Sequence, residues 1–215
     1  GEEKRRAARD AFAAAAKERP DIAGTTDLVL GLHISLDDNA GAEKHARTVL
    51  RPHRTPPRAN YVLGSLALHR GQLREAEEFL RRSVNTQKPA ALALNDLAEV
   101  LRRRKEFAEA EKYARKTVEV EPSLYVAWET LASILLDANK DLDQAEEYVN
   151  KAVELSKGAD GKVSDIRMVI SQIRVLLARK DLIHAKSAMR MVDNRIGELS
   201  DYERAEYEEL KKSAR

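Results

Sequence analysis

The chain has 215 residues, of which 34% are charged, 43% hydrophobic and only 5% aromatic, and its formal net charge is +2. No stretch approaches the ~18 to 20 consecutive apolar residues of a bilayer span, and the lack of any cysteine excludes disulfides, thiolate metal sites and a cysteine nucleophile together. Near-balanced charge gives no ground for a polyanion partner, and a mean hydropathy of −0.54 fits a soluble helical protein of intracellular or periplasmic type, with the compartment left open.

Ala8, Ala42, Ala76 and Ala110 stand 34 residues apart, and Ala145 and Ala185 continue the series after one short and one longer insertion. A fixed period of this length marks a repeat array. The chain opens Gly1-Glu2-Glu3 without an initiator methionine, which reads as a cloning remnant with an upstream segment, such as a targeting signal, removed. Ala8, Phe12, Ala15 and Pro20 have the pattern of the second helix of a unit, so residues 1–20 are predicted as a half-repeat or capping helix. Residues 23–56 read as a degenerate helix pair carrying Val29, Leu30, Gly31, Ala42, Ala46 and Val49. Their Leu-Gly pair lies one residue late, which predicts a shortened turn around Asp37-Asp38-Asn39.

Three regular units follow, 57–90, 91–124 and 125–157. In the first, Tyr61, Leu63, Gly64, Ala67 and Leu68 recur at helical spacing, Arg70-Gly71-Gln72 breaks the pattern, and Leu73, Ala76, Phe79, Leu80 and Val84 resume it. The next two repeat the plan around turns at Arg103-Arg104-Lys105-Glu106 and Asn139-Lys140-Asp141. Small residues at Gly64, Ala98 and Ala132 on the first helices, and at Ala76, Ala110 and Ala145 on the second, allow close antiparallel packing. Pro20, Pro56, Pro89 and Pro122 are expected to stop the second helices.

This pattern resembles the tetratricopeptide repeat family over nearly the whole chain, with the best copies in Trp128, Leu131, Ala132, Leu135, Ala145, Val149 and Ala152, and in Leu63, Gly64, Ala76, Leu80 and Pro89. The resemblance implies an all-α right-handed superhelical solenoid of about twelve helices, a single domain over 1–215, whose first helices line a concave surface. A weaker unit spans 164–196 after the loop Lys157-Gly158-Ala159-Asp160-Gly161. Gly197 is expected to end a helix, and Ser200-Asp201-Tyr202-Glu203 reads as a capping box opening a C-terminal capping helix over 200–215, with Lys211 and Lys212 near its C-terminus.

No catalytic constellation is found and no cofactor is implied. His33, His45, His53, His69 and His184 lack metal-ligand spacing; His33 is expected half-buried and the other four at the surface. The Gly158-to-Lys162 loop has neither the glycine spacing nor the Ser or Thr of a phosphate-binding loop. Carboxylates fall in solvated i,i+4 pairs, Glu77 with Arg81, Glu78 with Arg82, Glu111 with Arg115 and Glu147 with Lys151.

The resemblance makes the outward faces of the first helices the candidate peptide-binding groove: Arg58, Tyr61 and Ser65, then Leu92, Asn95, Asp96 and Glu99, then Val126, Glu129 and Ser133, then Arg167 and Arg174. Tyr61, Leu92 and Val126 would anchor an extended or helical segment of a partner protein, and Asp96, Glu99 and Glu129 would pair with a basic residue. These same carboxylates would repel the acidic chaperone tails that some family members clamp. Two alternatives stand beside this reading. The basic stretches Arg51-Pro52-His53-Arg54 to Arg58 and Arg102-Arg103-Arg104-Lys105, the second placed at a turn on the solenoid edge, suggest a nucleic-acid-binding helical repeat, against which the acidic inner positions speak. The terminal helices could also stack on another copy, giving a homo-oligomer.

Overall fold

The computed structural model describes residues 2–18, 24–50, 56–158, 161, 163 and 165–214. Pro20, Arg51, His53, Arg54, Ala159, Asp160 and Lys162 lie outside them. Among the described residues there are twelve α-helices: α1 Glu2–Glu18, α2 Thr25–Ser35, α3 Asn39–Val49, α4 Pro57–His69, α5 Leu73–Val84, α6 Ala91–Arg103, α7 Phe107–Val120, α8 Tyr125–Asp137, α9 Leu142–Leu155, α10 Ile166–Ala178, α11 Leu182–Asp193 and α12 Asp201–Ser213. The only β-type pairing among these residues is an isolated bridge between Lys157 and Val163.

The chain divides into two compact units, Gly1–Arg104 and Lys105–Arg215. In the first, each helix from α1 to α6 packs on its neighbour in sequence, and α4 also adjoins α2 and α6, so the first helices form one layer. The second unit has the same plan: α7 packs on α8, α8 on α9, α9 on α10 and α10 on α11, while α10 adjoins both α8 and α12.

The periodic alanines are buried in this packing: Ala76, Ala110, Ala145 and Ala185 are 0% exposed and Ala42 1%. Ala8, the first of the series, is half-buried. At Gly64 a Cβ would stand 2.6 Å from Leu80 Cγ and 3.2 Å from the Ala76 carbonyl oxygen, so the glycine is what admits Leu80 between α4 and α5. The degenerate unit departs from expectation here. Its turn, residues 36–38, is as long as the turn at 70–72; α2 is the shorter element, with 11 residues against 13 in α4. Leu30, fully buried, stands twelve residues before Ala42 as Gly64 does before Ala76, while a Cβ on Gly31 would meet only Arg58 Nη2, at 3.2 Å.

Each turn inside a unit places one residue in the left-handed region, at Asp37 (φ 54°), Gly71 (72°), Lys105 (65°), Asn139 (49°) and Lys180 (63°). At four of them the flanking amides close the same pair of bonds, as in Gln72 N–H to Ala67 O at 2.9 Å and Gly71 N–H to Leu68 O at 3.0 Å. This is the Schellman arrangement, and the period is therefore written in the backbone as well as in the alanines.

Proline acts differently from expectation. α3 ends at Val49 and α5 at Val84, well before Pro56 and Pro89, and Pro56-Pro57 instead opens α4, where a missing N–H costs no intrahelical bond. Pro122 follows its helix closely, α7 ending at Val120. Gly197 does not end α11, which stops at Asp193, but lies in a 3-10 turn over Ile196–Glu198. The Ser200–Glu203 capping box is formed, with Ser200 Oγ accepting from Glu203 N–H at 3.3 Å and Glu203 accepting from Ser200 N–H at 2.8 Å. Beyond it Tyr207, 0% exposed, packs among Ile166, Ile173, Met189 and Val192 and donates its hydroxyl to Met189 O at 2.8 Å.

His45, expected at the surface, is half-buried; its ring centroid lies 6.2 Å from that of His33, and burial pushes its pKa down. The reason is tertiary. His33 folds onto Asp38 at 2.8 Å, and Arg9 of α1 reaches the same carboxylate at 3.1 Å. Two arginines further on are also paired: Arg70 reaches Glu43 at 2.6 Å and Arg81 reaches Glu77 at 2.7 Å.

Candidate functional site

In the first unit the candidate residues lie on two adjoining first helices. Arg58, Tyr61 and Ser65 occupy α4 at i, i+3 and i+7; Leu92, Asn95, Asp96 and Glu99 occupy α6 at i, i+3, i+4 and i+7, each set being one stripe of its helix. Leu92 is 46% exposed, Arg58 is exposed, and Tyr61, Ser65, Asp96 and Glu99 are half-buried. The Ser65 hydroxyl is within hydrogen-bonding reach of both the Tyr61 phenol and the Asp96 carboxyl. Burial, assisted by the Asp96 charge, pushes the Tyr61 phenol up to about 12.

The two carboxylates of α6 are in opposite states. Burial pushes Asp96 up to about 6, opposed by hydrogen bonds from Ser65 and Asn95 and by the nearby His69. Burial acts on Glu99 in the same direction, but Arg102 and Arg103 overcome it and hold Glu99 down to about 2. Arg102 donates to Glu99 Oε2 at 2.7 Å and to Oε1 at 2.9 Å, and Arg103 to Oε1 at 2.5 Å. This corrects part of the placement of the arginine run at a turn: Arg102, only 7% exposed, and Arg103 belong to the last turn of α6, while Arg104 and Lys105 lie in the turn. An arginine bound to a carboxylate of its own helix is a poor phosphate ligand.

In the second unit Val126, Glu129 and Ser133 stand on α8, and Arg167 and Arg174 on α10. Glu129 Oε1 accepts from Ser133 Oγ at 2.7 Å and from Ser171 Oγ at 2.8 Å. Ser133 Oγ in turn accepts from Arg174 Nη1 at 2.7 Å, and Arg174 also pairs with Asp137 and, at 3.7 Å, with Glu206 of α12. Arg167 pairs with Asp165, which also accepts from the Tyr125 hydroxyl at 3.2 Å, and approaches Glu203 at 3.8 Å. Glu129 and Arg174 are thus joined through Ser133 in a chain that bridges three first helices. Asp137 and Glu206 escape sequence reading, because Arg174 meets them from distant positions in the chain, Asp137 across 37 residues, and no local spacing pairs them.

Among the described residues no group of three or more His, Cys, Asp or Glu is arranged to hold a metal ion, and no helix is long and apolar enough to cross a membrane. Antiparallel helix pairs with small residues at the crossings and a left-handed residue in each turn define a helical-repeat protein. Three models described as tetratricopeptide repeat match residues 32–91, 90–120 and 125–158, together more than half of the chain, which therefore belongs to the tetratricopeptide repeat family. No family of enzymes is among the matches, and no curated protein matches the chain. Among solved structures, Pseudomonas aeruginosa PilF is similar at 16% identity with a TM-score of 0.66, over 95% of this chain and 89% of that one. PilW, described as a widely conserved type IV pilus biogenesis factor, is similar at 16% identity and a TM-score of 0.66, over 91% and 87%. YrrB, described as a TPR protein with an unusual peptide-binding site, is similar at 16% identity and a TM-score of 0.57, over 83% and 84%. At these identities the likeness speaks for the fold.

Proposed function

We propose that this protein is a non-catalytic interaction scaffold that takes a peptide or a helical segment of a partner protein on the outward faces of its first helices. The observation that carries the reading is the face of α4 and α6, where an apolar side chain, Leu92, stands 46% exposed beside half-buried Tyr61 and Asp96. Exposed apolar area next to oriented polar groups is the composition of a recognition surface. The peptide-binding site of YrrB, a protein of the same fold, supports the same class of function.

The test is to select peptides from a random display library on the intact protein and map the bound peptide by amide chemical-shift changes. Changes concentrated on α4 and α6, or on α8 and α10, are expected. Selected peptides that shift only the outward faces of α5, α9 or α11 would remove the first helices from consideration.

A further inference from the structure

Nearly all the carboxylates on or beside these faces already have a cation within the chain. Glu99 has Arg102 and Arg103, Asp137 has Arg174, and Asp165 has Arg167. Glu129 is satisfied by two hydroxyls, with Arg174 behind Ser133. Asp96 is the exception. Its hydrogen-bonding neighbours, Ser65 and Asn95, are neutral, and the basic group acting on it is His69, an exposed imidazole engaged with the Ser65 carbonyl at 2.8 Å. The other groups that face it are the Tyr61 phenol from α4 and Glu99 of its own helix. Arg58, the exposed cation of α4, has its guanidinium against Gly31 of α2.

A second observation stands beside this carboxylate. Asn95 is 8% exposed, and its Oδ1 is buried with no hydrogen-bond partner. Buried acceptors are almost always satisfied in folded proteins, so an unsatisfied one calls for a missing donor. A carboxylate whose hydrogen-bonding partners are both neutral, beside an amide oxygen with no donor, matches the ammonium or guanidinium head of a basic side chain. Leu92, one turn earlier on the same helix and exposed, is placed to cover the aliphatic stem of that side chain.

We propose that Asn95 and Asp96 form a subsite for a lysine or arginine side chain of the bound partner segment. This rests on the first-helix reading above and narrows it from a surface to a chemistry. Of the three carboxylates available to a basic residue by sequence, Glu99 and Glu129 are occupied within the fold, and Asp96 carries the recognition.

The experiment pans the same random-peptide library on wild-type protein and on Asp96→Asn, a near-isosteric change whose fold is checked by circular dichroism. Peptides enriched on wild type are expected to share one Lys or Arg next to an apolar residue. Replacing that residue by norleucine should weaken binding by about tenfold or more, and by much less on Asp96→Asn, as coupled charge partners do. Asp96→Lys should enrich an acidic residue instead. Peptides that shift α4 and α6 yet carry no shared basic residue, or bind Asp96→Asn unchanged, overturn the subsite and leave the first-helix reading intact. Peptides that map elsewhere, or no enrichment on any variant, overturn both.

Discussion

Gly64→Ala sets two known effects against each other at one position. Alanine in a helix interior is favoured over glycine by ~0.8 to 1.0 kcal/mol, which alone would stabilise α4. The new methyl, however, falls 2.6 Å from Leu80 Cγ and 3.2 Å from the Ala76 carbonyl oxygen, and Leu80 is fully buried and cannot swing into solvent. Overpacking of this kind costs about 1 to 3 kcal/mol, so a net loss of roughly 1 kcal/mol is expected, or a fall of ~2 to 4 °C in Tm for a chain of this size. A sister pair shows how the clash is resolved: where the first helix carries Ala132, the position of Leu80 is taken by Val149. Leu80→Val alone should cost ~0.5 to 1.5 kcal/mol, and the pair Gly64→Ala with Leu80→Val should be less destabilised than the sum by at least ~0.5 kcal/mol. Urea unfolding followed by circular dichroism, with hydrogen exchange on α4 and α5 to localise the change, measures the cycle. A Gly64→Ala variant more stable than wild type and additive with Leu80→Val would show that the crossing has room, refuting the packing argument.

Lys180 occupies the left-handed position that Gly71 fills in an earlier unit. Lys180→Gly should raise stability by about 0.5 to 1 kcal/mol, the relief of the Cβ clash being offset in part by the freer unfolded chain; an unchanged or lowered Tm counts against it. The two carboxylates of α6 predict opposite pH limbs. Asp96 rises in the fold from 3.8 to about 6, so the native state holds its proton longer than the unfolded state does, and stability falls as pH rises from about 4 to 6. Glu99 drops from 4.5 to about 2, so its contribution is present above 4.5 and is lost as pH falls toward 2. Urea midpoints taken from pH 2 to 8 should show both limbs, and Asp96→Asn should abolish the upper one alone; a variant that keeps the upper limb refutes the assignment to Asp96.

The helix pairs, their turns and the family were legible in the linear chain because each is enforced locally. An alanine every 34 residues, apolar side chains at helical spacing and a turn between them require no knowledge of which helix lies beside which. Even the capping box at Ser200 is a contact within one turn. The candidate faces rest on the same reading of position in the repeat, and two of their members, Asn95 and Ser133, are buried at 8% and 2% exposure. The ionic state of those faces was not. Arg102 looked exposed until its fold onto Glu99 was seen, Glu129 looked available until Ser171 and, through Ser133, Arg174 reached it from α10, and His45 looked superficial until His33 was drawn toward Asp38. Each of these depends on side chains choosing among partners in three dimensions, and those that reach Glu129 from α10 join residues 41 and 42 positions apart in the chain. Periodicity specifies backbone register and burial; the neutralisation of charge follows from the close approach of neighbouring helices, and it is that approach which leaves Asp96 with neutral hydrogen-bond partners only and Asn95 Oδ1 without a donor.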